Sequence, residues 1–128
     1  MATKVLVLGK YYPPFRGGIE HVTKLCCEAI SSECEVHAVV NSHDAMNTTE
    51  KQNDVQVTRL RPILTVFSQP LAINLPFAFR CRDYDIVHLH GPNPYAAALL
   101  AVKWVVSRRR PQIVITHHMD IFGRRVIQ

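Results

Sequence analysis

The chain is short of the features that mark the commonest nucleotide and metal sites. Its four cysteines, Cys26, Cys27, Cys34 and Cys81, follow no zinc-ligand spacing. The loop after the first apolar run lacks the third glycine of a dinucleotide fingerprint and is longer than that motif allows, and no Gly-Lys-Ser/Thr follows it, which excludes a P-loop. There is no internal repeat and no low-complexity segment. No leader precedes the run Val5 to Leu8, so a reducing, cytoplasmic setting is expected. Acidic residues are outnumbered, 10 against 15 Lys and Arg, for a net charge of +5. Such a balance suits phosphate-bearing ligands, an anionic membrane face or nucleic acid, and equally an ordinary basic surface. Charge is missing altogether from Pro62 to Phe79.

What remains is the pattern of a globular domain: 128 residues, 48% hydrophobic and 20% charged, enough for one core spanning 1–128. The run "KVLVLG" reads as a strand buried on both faces. "GGIEHVTKLCCEAISS" reads as a helix with Ile19, Val22, Leu25, Cys26, Ala29 and Ile30 on its apolar side and Glu20, Lys24 and Glu28 on the other, which would bury Cys26. "EVHAVVNS" is a second strand, "DVQVTRL" a half-exposed edge strand, and "DIVHLHG" and "QIVITHH" two more. Asn93 and Pro94 suit the cap and first turn of the helix "YAAALLAVKWVVS", which is apolar nearly all round and so expected to be well buried; "RRRP" ends it.

Strands alternating with helices predict a single doubly wound, mainly parallel α/β sheet with helices on both faces. Ligands of such sheets gather beyond the carboxyl ends of the strands. The unusual residues fall there: the Pro-Pro-Gly-Gly loop, His90-Gly91-Pro92-Asn93, and His117-His118-Met119-Asp120. Gly17 and Gly18 stand at a helix start, whose free amides attract anions, and Arg16 adds charge. A tight turn with positive φ would ask for the same glycines. Glu20 reaches either the cleft mouth or Lys24, one helical turn on. His88 and His90 share a strand face; with His117, His118 and Asp120 they make a metal site conceivable, but no spacing supports one and none is expected. His88 reads as a hydrogen-bonded core residue and His90 as lining the cleft.

In order along the chain, "YYPPFRGGIEHVTKL", "HLHGPNPYAAALL" and "VITHHMDI" resemble the amino-terminal domain of retaining glycosyltransferases of the GT-B fold, in particular the large group 1 family that includes glycogen synthase-like and bacterial cell-envelope enzymes. The resemblance implies a Rossmann-like, acceptor-side domain facing a second domain across a cleft. It implies a nucleotide-sugar donor, a glycan, cell-envelope or lipid-linked acceptor, and no cofactor. It places the backbone of Gly17 and Gly18 at the donor's phosphates, His118 beside the transferred sugar, and Asp120 in the same loop. Met119 departs from the family pattern, which often has a small residue there. The carboxy-terminal donor domain is not found in the sequence, so the isolated chain is expected to be inactive, to bind nucleoside diphosphates weakly or not at all, and to self-associate through an uncovered face. The reading from another class is a non-catalytic Rossmann-like binding or interaction domain.

The segment "PILTVFSQPLAINLPFAF" is flanked by Arg59, Arg61, Arg80 and Arg82. Its three prolines and its Ser68, Gln69 and Asn74 oppose a membrane-spanning helix. It reads either as a loop and short helix packed on the sheet edge or as an apolar, Arg-flanked lip touching an anionic membrane or a lipid-linked acceptor. The "SRRRP" run has no aromatic platform, and nucleic acid is not an expected partner.

Overall fold

The computed structural model describes residues 2–44, 46–66 and 69–118. In chain order they form β1 (Thr3–Leu8), α1 (Gly18–Ile30), β2 (Cys34–Asn41), β3 (Thr48–Gln52), β4 (Val55–Leu60), the short strands β5 (Leu64–Val66) and β6 (Gln69–Leu71), the single turn α2 (Leu75–Ala78), a 3-10 turn (Cys81–Asp83), β7 (Ile86–Gly91), α3 (Pro94–Val106) and β8 (Gln112–His117). The main sheet runs β3-β4-β2-β1-β7-β8, parallel throughout except for β3. The expected α/β, Rossmann-like doubly wound sheet is therefore present.

Winding explains why its two faces are covered by different helices. From β1 the chain moves one way, through α1 to β2; from β7 it moves the other way, through α3 to β8. Right-handed crossovers in opposite directions put their helices on opposite faces. Val5 and Val7 of β1 pack on one side with Val36, Ala38, Val40, Val55, Val57 and Cys27 of α1. Leu6 and Leu8 pack on the other with Leu60, Val87, Leu89 and the α3 residues Ala96 and Leu100. Strand β1 is thus buried on both faces, as its unbroken apolar run requires.

Several local expectations fail, each for a physical reason. "DVQVTRL" is an interior strand: β3, "TTEKQ", pairs antiparallel outside it, joined through Asn53 and Asp54, both with positive φ. Asn and Asp tolerate that conformation, which a tight hairpin needs. The strand β3 is wholly polar and exposed or nearly so, so no hydrophobic periodicity announces it. In α1 the buried positions are Glu20, Thr23 and Cys27, while Val22, Leu25, Ala29 and Ile30 are exposed and Cys26 is only half-buried. Close approach to the sheet selects the small residues: the Thr23 methyl lies 3.6 Å from the Cβ that Gly9 lacks, and its hydroxyl donates to the Ile19 carbonyl at 2.8 Å. The helix α3 is not well buried either. Only Ala96 and Leu100 are fully buried, Tyr95, Ala97, Leu99 and Trp104 are partly covered, and Val102, Val105 and Val106 face outward because one side alone meets the sheet.

The uncharged segment forms the β5–β6 hairpin and α2. Ala72, Leu75 and Phe79 enter the core under α3, while Ile63, Leu64, Val66, Ile73 and Phe77 stay exposed. Arg59 does not flank it as a free cation. That side chain is buried and donates to Glu50 and to the Pro13 carbonyl. No helix among the described residues is long and apolar enough to cross a membrane.

The ends of α3 are built as expected. The Asn93 side-chain carbonyl accepts from the Ala96 amide at 3.2 Å, Pro94 opens the first turn, and Arg110 donates to the Val105 carbonyl at 2.9 Å while lying over the Trp104 ring. Replacing Asn93 by alanine is expected to cost about 0.5–2 kcal/mol, and by serine or aspartate much less. Urea unfolding checks this; an unchanged midpoint for Asn93→Ala would show that the cap carries no stability.

Candidate functional site

Three neighbouring parallel strands, β1, β7 and β8, release their loops at one edge of the sheet. At strand spacings of about 4.8 Å, the end of β8 lies about 10 Å across the sheet from the end of β1. The loop 9–17 follows β1, residues 92 and 93 follow β7, and His118 follows β8. Alternation along the strands sets their faces. Ile86, His88 and His90 point to the α1 side, as do Val114, Thr116 and His118 through the in-register pairing of β7 with β8.

On that side the histidines form a polar row. His88 Nε2 lies 2.7 Å from the Thr116 hydroxyl, and His90 Nδ1 lies 3.0 Å from His118 Nε2. The His90 ring is 4.2 Å from that of His88 and stacks on His118 at 5.3 Å between centroids. His90 is only 3% exposed. Burial, and then the neighbouring imidazoles of His88 and His118, push its pKa down to about 4, so it is neutral near pH 7. Burial likewise lowers His88, with His118 contributing. His118 is half-exposed, and its backbone amide is tied to the Gly91 carbonyl at 2.9 Å. Among the described residues no group of three donors is arranged to hold a metal ion.

The other half of the site is the start of α1. Gly17 is the N-cap with extended backbone, φ −179°, and no described glycine has positive φ, which removes the tight-turn explanation. Space explains Gly17 instead. A Cβ there would lie 1.9 Å from a carboxylate oxygen of Glu20, which folds back over the helix start and is 7% exposed. Glu20 therefore lies neither on the outer face of α1 nor against Lys24, whose ammonium pairs with Glu28 at 3.9 Å. Gly18 differs: nothing stands within 4 Å of its missing Cβ. A groove of about 300 Å³ at the helix start is lined by Pro13, Pro14, Phe15, Arg16, Gly17, His21 and Lys24. Buried Arg59 pins the loop from below through the Pro13 carbonyl, and Tyr11 stacks on Phe15 at 4.3 Å. Burial, and then the Glu20 carboxylate, raise the Tyr11 pKa.

The expected residues are thus distributed unevenly. His90 and His118 touch; Arg16 and Gly17 share a groove. Asn93 spends its side-chain oxygen on the α3 cap. Asp120 lies outside the described residues. His21, Lys24, Thr116 and Arg59 complete the neighbourhood and were not singled out from sequence for it. The first two follow Gly17 at helical spacing, and Thr116 precedes His118 by the strand period of two, so the signal was there to read.

A family model described as Glycosyltransferase Family 4 matches residues 16–127. The chain belongs to that family. This agrees with the motif resemblance to an amino-terminal domain of the group 1 glycosyltransferases, and it covers both the glycine pair and the histidine loops. No curated protein matches the chain, and no solved structure does.

The buried imidazole makes stability pH-dependent with a definite sign. Unfolded His90 binds a proton near pH 6.5 and folded His90 only near 4, so the unfolded state takes up more protons between these values and stability falls with pH across that window. The loss saturates at about 3 kcal/mol, of which about 1 kcal/mol appears between pH 7 and pH 5.5, where carboxylates are still ionised. Chemical unfolding at the two pH values should show this slope, reduced by about that amount in His90→Leu. Equal slopes in the two proteins would refute a buried neutral His90.

Proposed function

We propose that this family member is the acceptor-side domain of a retaining glycosyltransferase of the GT-B type. In this reading a sugar passes from a nucleotide-sugar donor to a glycan, lipid-linked or other cell-envelope acceptor, and a second domain supplies the base and ribose contacts of the donor. What supports the proposal is that the loop leading to α1 and the His90–His118 pair leave the same edge of adjacent parallel strands, with both imidazoles on the face that α1 covers.

Each half has a role in this reading. Arg16, His21 and Lys24 line the groove beside the helix start, where cations and free amides favour phosphate. The Glu20 carboxylate crowds Gly17, so phosphate is assigned to the open Gly18 side. His118 is assigned to the sugar or to charge near its anomeric carbon, and Asp120 to the same loop. The exposed Ile63, Leu64, Val66, Ile73 and Phe77, the last 87% exposed, support a peripheral contact with anionic membrane. Asn47 joins the two parts of this patch by accepting from the Arg61 amide at 2.7 Å and the Asn74 side chain at 3.2 Å, and Arg61 and Arg80 are exposed beside it.

Inorganic pyrophosphate and uridine diphosphate, titrated separately into the labelled chain, test the donor assignment. Both are expected to bind weakly and alike, shifting the amide resonances of Arg16 to Gly18, His21 and Lys24, with Arg16→Ala weakening both. Tight, base-dependent binding would instead favour a stand-alone nucleotide-binding domain, and unmoved resonances would remove the phosphate site. Membrane contact has its own assay: co-sedimentation with phosphatidylglycerol vesicles at low salt, lost in Phe77→Ser with Ile73→Ser. Wild-type protein left in the supernatant would end that part of the proposal.

A further inference from the structure

We infer that His90 is a positioning residue that fixes the tautomer of His118, leaving His118 with its Nδ1–H as the donor offered to a ligand. His90 Nδ1 and His118 Nε2 meet at 3.0 Å, so when both rings are neutral one nitrogen carries the proton and the other accepts it. What decides between the two arrangements is the far nitrogen of His90. His90 Nε2 is fully buried and has no hydrogen-bond partner among the described residues. If His118 donated, the His90 proton would move to this nitrogen, creating a buried N–H with nothing to receive it. Orphaned buried N–H groups are the rarer kind of unsatisfied atom, and leaving a donor unpaired costs about 1–3 kcal/mol. If His90 donates, the orphan is only an unpaired acceptor lone pair. Free imidazole side chains have a modest preference for the Nε2–H form, which opposes this arrangement but is the smaller effect.

The proton therefore sits on His90 Nδ1. His118 Nε2 accepts it, and His118 carries its own proton on Nδ1. His88 turns its Nε2 to the Thr116 hydroxyl at 2.7 Å and makes no hydrogen bond to the orphan nitrogen. The consequence is a polarity for the site. The nitrogen of His118 that remains for a ligand is a donor, and its partner is an oxygen with a free lone pair: a sugar hydroxyl oxygen, a developing alkoxide or a phosphate oxygen. The tautomer follows from this chain alone; only the step to a substrate oxygen rests on the proposed function.

Long-range proton–nitrogen correlation spectra of the labelled chain at about pH 8.5, where imidazoles are neutral, read the tautomer of each histidine directly. His118 is expected in the Nδ1–H form, opposite to a free histidine. Asparagine at position 90 carries an amide donor near the place of Nδ1, so His90→Asn should keep that form, whereas His90→Leu fills the space without a donor and should return His118 to Nε2–H. Wild-type His118 found as Nε2–H would overturn the inference even if neither variant folded, and so would a His90→Leu protein that keeps Nδ1–H. Neither result depends on whether the protein handles sugars.

Discussion

Parallel pairing on both sides of β1 is the constraint on which the site depends. A parallel strand sends its successor loop out at the same end as its neighbour's, so β1, β7 and β8 cannot avoid bringing three loops to one edge. The reversal of winding direction between β1 and β7 then sends α1 and α3 to opposite faces, the arrangement in which sheets of this kind open a crevice at the strand ends. Nothing in the loops themselves creates that crevice. Their residues matter because the backbone has already gathered them.

Within the gathered site, burial divides the labour between two histidines of the same chemistry. His90 lies on the floor, almost without solvent, and stays neutral because a charge there would be desolvated and would face two more imidazoles. His118 is one strand further out and half-exposed. The difference comes from position along the strands. His90 is the next-to-last residue of β7, flanked by β1 and β8, whereas His118 lies just past the end of an edge strand. A floor residue that holds a proton in one place and a rim residue that meets solvent form a graded arrangement that neither could supply alone.

The alternation of strands and helices in a mainly parallel sheet was legible in the sequence because long apolar runs and a capped helix are strong local signals. Asn93 capping Ala96 was readable residue by residue. What was not legible was decided by tertiary contact. The face of α1 was misassigned because the sheet accepts Thr23 and Cys27 close up and turns Val22 and Leu25 outward, against the order that hydrophobicity alone would set. The edge strand β3 was invisible because "TTEKQ" gains its order from pairing with β4 and not from burial. Arg59 read as a flanking cation because sequence adjacency to the apolar segment hid its reach across the sheet to the Pro13 carbonyl. The pairing of His90 with His118 needed the register of β7 against β8, which no local pattern contains.

Glu20 sharpens what the glycine pair can do. A helix start carries roughly half a positive charge from its unpaired amides, and a carboxylate in the first turn neutralises part of it. Here the carboxylate lies so close to Gly17 that any side chain at that position would displace it. The helix start is therefore partly satisfied by its own acid, and a simple picture of two bare glycines awaiting an anion is incomplete. The remaining attraction must come from side chains, and the groove at the helix start supplies Arg16, His21 and Lys24. A singly charged anion gains little against a resident carboxylate. A diphosphate, with more charge and two groups to place, can reach the cations while leaving Glu20 where it is, which is the physical reason to look for a diphosphate and not a lone carboxylate at this edge of the sheet.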